Sequence, residues 1–159
     1  MKCPNCRAEM KSGRENYKDD MCGLPGITLL GVEVRRCPAC GEDEVVIPDI
    51  EGLHRAIAHA VIRKKERLTL AEIVFLRKWL GLSGVEFARA MDVSPVTVSR
   101  WENGRQPMSS MADRMLRLLV VAREPVAGYL ELLPETAKRP AKPQRLGLRA
   151  ARGVWSVAA

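Results

Sequence analysis

Two Cys-Pro-x-Cys tetrads constrain the fold of this chain more than any other feature of its sequence. They read "CPNC", which contains Cys3 and Cys6, and "CPAC", which contains Cys37 and Cys40. A tight turn of this kind presents two thiols on one side of the backbone, so two facing turns can surround one tetrahedral ion. One such pair is a weak signal, but two at this spacing are a strong one. We therefore predict that the N-terminal segment folds back on itself around a metal.

Four thiolates match the preference of zinc for soft ligands at about 2.3 Å, and a closed set of four leaves no coordination position for water. We expect one structural zinc ion per chain, bound by Cys3, Cys6, Cys37 and Cys40. The alternatives are a rubredoxin-like iron site, a redox dithiol and a pair of disulfides. The fifth cysteine, Cys22, is interpreted as a small buried apolar side chain or an exposed bystander.

The segment between the tetrads predicts a β-strand. In "GITLLGVEVRRC", Val32 and Val34 alternate with charged neighbours, which is the period of a half-buried strand. Gly41 follows the second tetrad and tolerates a positive φ, whereas Arg7 takes the same place after the first. We predict an α+β chain whose first domain, residues 1–48, is small, zinc-bound and β-rich.

Residues 49–67 predict a helix that links this domain to the next. Asp49 can cap its N-terminus, and Leu53, Ile57 and Val61 share one face at a spacing of four. The basic run "RKKER" at the end of the segment predicts a solvated helix end.

Three helix N-termini follow, each with a Ser or Thr that can act as the N-cap. Thr69 and Glu72 fit a capping box, and a Ser and a Glu three residues apart repeat it at Ser83. Ser94 starts the third helix, with Pro95 at the first helical position. Two very short helices separated by so few residues are typical of a helix-turn-helix.

The stretch "LSGVEFARAMDVSPVTVSRWENGRQ" resembles the Cro/CI-type (XRE) DNA-binding domain of phage repressors, and the likeness extends over about residues 66 to 133. It implies an all-α bundle of five helices over residues 68–133, with the third helix in the major groove of double-stranded DNA. It also implies a homodimer, formed through residues 109–133, on a palindromic operator.

The DNA contacts that the resemblance implies lie on the third helix or just after it. They are Ser94, Val96, Thr97, Ser99, Arg100 and Arg105. Arg100 has the fork geometry for a guanine edge, with a solvated charge as the alternative. Val96 either packs on a thymine methyl group or is an ordinary exposed apolar residue. The hydroxyl groups suit phosphates or base edges, and Arg105 suits a phosphate.

The zinc tetrads, the linker helix and the Cro-like domain together resemble the MqsA family of type II antitoxins, with its YgiT-type zinc finger, over roughly residues 1 to 133. The resemblance implies that residues 1–48 bind a cognate protein toxin, a ribonuclease, and that the chain represses its own operon. The alternative is a zinc-finger transcriptional regulator without a toxin. An enzyme is disfavoured, because the closed metal site has no open position and no catalytic constellation is evident.

The distribution of charge along the chain supports separate protein-binding and DNA-binding domains. The chain carries a net charge of +7, which favours an anionic partner such as nucleic acid. Residues 1–48 hold seven Lys/Arg and eight Asp/Glu, which suits a protein-facing module better than a zinc finger that grips DNA.

The C-terminal residues 134–159 have three prolines, six basic residues and no evident periodicity. They predict a mobile, disordered basic tail that either adds nonspecific DNA affinity or only solubilises the chain. No apolar run approaches the roughly 20 residues of a membrane helix. We therefore expect a cytoplasmic, nucleoid-associated protein with no membrane partner.

Overall fold

The computed structural model describes residues 1–123 and 136–158, and it confirms the α+β class. The strands are β1 (Lys11–Lys18), β2 (Ile27–Arg36), β3 (Asp43–Val46), β4 (Leu146–Ala151) and β5 (Val154–Val157). The helices are α1 (Ile50–Arg63), α2 (Leu70–Trp79), α3 (Gly84–Ala90), α4 (Pro95–Glu102) and α5 (Ser110–Arg123).

Strand β2 lies at the centre of a five-stranded sheet. One of its edges pairs antiparallel with β1 over most of its length. Along the other edge, β3 pairs antiparallel near the C-terminal end, and β4 pairs parallel near the N-terminal end. Side chains alternate along each half of β2, and an irregularity in its register with β1 between Leu29 and Val32 lets Leu29 and Val34 both be buried although they are five positions apart. They belong to one core that also contains Leu53 and Ile57 of α1.

The C-terminal segment differs from the disordered tail that the sequence predicted for residues 134–159. Within it, β4 and β5 form a hairpin that joins the central sheet. The hairpin turns at Arg152 and Gly153, which both have positive φ, as a two-residue type I′ turn requires. Leu148 is fully buried, and the indole Nε1 of Trp155 donates to the carbonyl oxygen of Pro48 at 2.7 Å. The apolar face and this hydrogen bond offset the entropy that keeps a basic, proline-containing segment disordered.

The helix starts follow the local rules that predicted them. The carboxylate of Asp49 accepts from the Gly52 N–H at 2.9 Å at the start of α1. Both capping boxes are complete. The first forms between Thr69 and Glu72, and the second forms between Ser83 and the third residue of α3. Ser94 Oγ accepts from the amide of the third helical residue of α4 at 3.1 Å.

Helices α2 to α5 pack as the helical domain. The rings of Phe87 and Trp101 meet edge to face at 6.5 Å between centroids, and Val98 and Leu116 are buried in the same core. Four of the five predicted helices are thereby described. The fifth, which the sequence placed before residue 133, falls on residues 124–135, outside the described part of the chain.

Candidate metal centre and nucleic-acid interface

The two Cys-Pro-x-Cys tetrads form two turns with the same hydrogen bonds. In the first, the N–H of Cys3 donates to Ala8 O at 2.8 Å, and the N–H of Arg7 donates back to Cys3 O at 3.0 Å. The second turn, which begins at Cys37, repeats both bonds at 2.8 and 3.0 Å. Each turn bends the backbone so that two thiols emerge on one side.

The turns bring together the four cysteines that the sequence singled out. Cys3 Sγ lies 3.6 Å from Cys40 Sγ, and Cys6 Sγ lies 3.3 Å from Cys37 Sγ. All four sulfur atoms lie within 4.8 Å of one another, and all four cysteines are free. A tetrahedron of sulfurs about 2.3 Å from a central ion has edges of about 3.8 Å. The donor set therefore fits one metal ion such as zinc.

The thiols do not ionise alike. Desolvation raises the pKa of Cys37, but the N–H groups of Cys40 and Ala39 and the Cys6 thiol outweigh it and lower that pKa to about 6. For Cys6, a hydrogen bond from Ala8 lowers the pKa, but the neighbouring thiols raise it to about 12. The pKa of Cys37 is thus lowered while the pKa values of Cys6 and Cys40 are raised, so metal binding must release protons from the cluster.

Replacing Arg7 with glycine should strengthen the first turn. Arg7 has φ 63°, and Gly41 has φ 76° at the same place in the second turn. A side chain in this left-handed region costs about 1–2 kcal/mol, so Arg7→Gly should raise the free energy of unfolding by about 1 kcal/mol. Urea denaturation of the metal-loaded protein measures this change.

Gly41→Arg is the matched control for that substitution. A Cβ added at Gly41 meets nothing within 4 Å, so backbone strain is the expected cost and not a steric clash. It should destabilise the protein by about as much as Arg7→Gly stabilises it. Two changes of the same sign would contradict the equivalence of the turns.

Helix α4 presents the face that the sequence assigned to DNA. Val98 and Trp101 point into the core, while Val96, Ser99 and Arg100 are exposed. Val96 leaves 58% of its surface in solvent, which is a large fraction for an apolar side chain.

The remaining candidates lie at the two ends of α4. Ser94 caps the helix, and its hydroxyl group lies 3.0 Å from that of Thr97, so both hydroxyls are used locally. Arg105 is exposed after the helix, and its N–H donates to Arg100 O at 2.9 Å. The structure therefore brings all six candidates to one helix and its ends, and their contacts with DNA stay a prediction.

An ion pair that the sequence did not predict sets the position of α4. Arg77 on α2 meets Glu102 at the end of α4 through two hydrogen bonds, of 2.5 and 3.3 Å. The same guanidinium donates to Leu82 O at 2.8 Å, between α2 and α3. One side chain thus ties together three helices of the domain. The two charges are 25 residues apart, and nothing in the local pattern pairs them.

Comparison with known proteins supports the helical half of this description. Residues 75–121 match the family model described as Helix-turn-helix. A search of curated proteins gave no match. Among the described residues, no helix is both long enough and apolar enough to span a bilayer. The chain thus combines a cluster of four cysteines that could hold a metal ion with a helix-turn-helix domain, which indicates a DNA-binding transcription regulator.

Proposed function

We propose that this chain is a zinc-containing transcriptional repressor and the antitoxin of a type II toxin-antitoxin system. The observation that carries the DNA-binding part is the exposed face of α4 within the region that matches a helix-turn-helix. Arg100 reads a guanine, Val96 packs on a thymine methyl group, Ser99 contacts a phosphate or a base edge, and Arg105 contacts a phosphate. The protein acts by binding and needs no catalytic group.

The Arg100→Ala variant tests this reading. It should cost about 1–3 kcal/mol of binding to the preferred site and relax the preference at one base pair. Fluorescence anisotropy with the preferred duplex and its single-base variants measures both effects. An equal loss on preferred and scrambled duplexes would make Arg100 a phosphate contact. A wild-type protein that prefers no sequence would refute the repressor.

Zinc is the metal that the four cysteines take in this proposal, one ion per chain. Iron is the competing occupant of four thiolates in this arrangement. Metal analysis of protein expressed in medium with both metals should give one zinc per chain. An iron-to-chain ratio near one, with the visible absorption of an iron–thiolate site, would overturn the assignment.

A homodimer on a palindrome is part of the same proposal. Helix α5 leaves an apolar stripe in solvent, in which Met111 is 80% and Met115 is 42% exposed. Leu118, one turn further on the same face, is half-buried. A second copy that covers this stripe would place two α4 helices on half-sites about 34–36 Å apart. A monomer in sedimentation velocity, both free and on DNA, would exclude the dimer.

The toxin partner rests on the resemblance and on charge. Residues 1–48 are close to electrically neutral, so their sheet suits a protein surface better than a phosphate backbone. Co-expression with the product of an adjacent small gene should rescue growth and yield a complex that needs residues 1–48. The absence of rescue and of a complex, with operator binding intact, would leave a regulator without a toxin.

A further inference from the structure

A basic groove lies between the end of α1 and the segment that leads into β4. It has a volume of about 790 Å³, with residues 63–66 and residues 142–145 in its lining. Arg63, Lys65, Lys142 and Arg145 are exposed there. Neither the metal site nor the helix-turn-helix uses these residues. From the sequence alone, the first basic run was predicted to be a solvated helix end and the second to be part of a disordered tail. The two runs are far apart in the chain.

A buried guanidinium fixes the orientation of the first run. Arg117 of α5 donates to the carbonyl oxygens of Ile62, Lys64 and Glu66, at 2.8, 2.6 and 2.7 Å. Because these alternate carbonyls face inward, the side chains of Arg63 and Lys65 are left on the outer side. The predicted solvated helix end is therefore wrong at Lys64, which is buried. The groove is thereby held to α5, a helix of the helix-turn-helix domain.

Hydrogen bonds fix the second run against the first. The buried ammonium of Lys64 is paired with Glu72 at 2.5 Å and donates to Lys142 O at 2.8 Å. The N–H of Arg67 donates to Arg139 O at 2.9 Å. Lys142 is thus held opposite the linker by its backbone, and its own side chain stays exposed. Hydrogen bonds of the fold therefore hold the backbone that carries these cations, so the cations are not part of a disordered basic tail.

The charge of the groove is almost wholly positive. Among its described lining residues, Glu66 is the acidic one, and its carboxylate already faces Arg139 at 3.8 Å. Four exposed cations along one cleft match a polyanion with regularly spaced charges, because each neutralised phosphate releases bound counterions. On the α1 side, the lining of the groove ends at Glu66, three positions before Thr69, the cap of α2, so the groove lies close in the chain to the start of the helix-turn-helix domain.

We propose that this basic groove binds the phosphate backbone of duplex DNA that flanks the site read by α4. The proposal rests on the proposed operator binding and adds a second, sequence-independent contact to it. It gives the C-terminal segment a function, because Lys142 and Arg145 supply half of the exposed cations.

The test is the salt dependence of DNA binding by a triple variant, Lys65→Gln with Lys142→Gln and Arg145→Gln. The duplex is the site that the wild-type protein selects from a random library, with about one further helical turn on each side. The slope of log affinity against log salt changes by about 0.9 per phosphate contact, so the triple variant should lose about 2–3 units of slope. Its preference for the selected over a scrambled site should stay unchanged.

Two further variants make the result decisive. Lys11→Gln with Arg14→Gln and Arg149→Gln removes three exposed cations from the sheet, and its slope should stay near that of the wild type. Lys65→Arg with Lys142→Arg and Arg145→Lys keeps the charges and should keep the slope. Equal slopes for the groove and sheet variants would overturn the proposal, and an acidic protein surface would then be the better occupant. Failure of the wild-type protein to select any site would instead refute operator binding.

Discussion

Replacing Arg117 with methionine should lower the free energy of unfolding by about 3–5 kcal/mol, the cost of breaking a buried ion pair by removing one partner. The Arg117 side chain is fully buried in the structure. Its Nε donates to Asp113 Oδ1 at 2.6 Å, and its other nitrogens donate to three carbonyl oxygens, one in the last turn of α1 and two in the segment that leads to α2. Methionine fills a similar volume but provides none of these donors.

The loss is large because several groups are left unpaired together. Asp113 would keep the hydrogen bond from the Leu68 N–H at 2.7 Å. It would lose Arg117, which is its only ion-pair partner among the described residues. Urea denaturation of the metal-loaded protein measures the change. Arg105→Met is the control, since an exposed arginine away from such features should change stability by no more than about 0.5 kcal/mol. A loss below about 1 kcal/mol for Arg117→Met would show that water replaces the missing donors.

The features that could be predicted from the sequence are those encoded within a few residues. A capping box needs only Thr69 and Glu72, three positions apart, and both its hydrogen bonds form. The metal turns likewise depend on five or six consecutive residues, and only their mutual approach is long-range. Short motifs of this kind are read correctly because the physical interaction and the sequence spacing coincide.

What escaped prediction depends on contacts between distant parts of the chain. The pairing of Ile27 with Leu146 joins residues more than a hundred positions apart, and its register is set by a core that the sequence does not display. Leu146, Leu148 and Trp155 form a buried apolar face. The prolines and arginines of the same segment made it resemble a disordered tail, so this face was not predicted. Lys64 escaped for the same reason, because burial of one lysine within "RKKER" requires Glu72 and the Lys142 carbonyl oxygen opposite.

The hairpin also changes what the metal site can be expected to stabilise. The sheet has two ends, and the four cysteines lie at only one of them, where Arg36 of β2 leads into Cys37. At the other end, β4 pairs with Ile27–Leu29, and the Trp155 indole holds the hairpin to the carbonyl of Pro48. The N-terminal sheet therefore does not depend on the metal alone, as a small isolated zinc finger does.

Removal of the metal should accordingly unfold part of residues 1–48 and leave the helix-turn-helix folded. A chelator, or the variant Cys40→Ser, removes the ion or one ligand, and the three remaining thiols cannot close a tetrahedral site. Amide hydrogen exchange should then rise in the two cysteine turns and in β3, which pairs with β2 beside Cys37. Exchange should change least where Leu29 of β2 lies opposite Leu148 of β4, and in α5.

Cys22→Ser is the matched control, because Cys22 lies outside the four-cysteine cluster and its loss should leave metal content unchanged. Hydrogen exchange read by mass spectrometry, with zinc added back to the chelated protein, separates loss of metal from irreversible damage. Operator binding by the chelated protein should persist, because Phe87, Val98 and Trp101 form the helical core without any group from the metal site. Protection lost equally in α5 and in the cysteine turns would instead show that the chain unfolds as one cooperative unit, with the shared core of α1 as the connection.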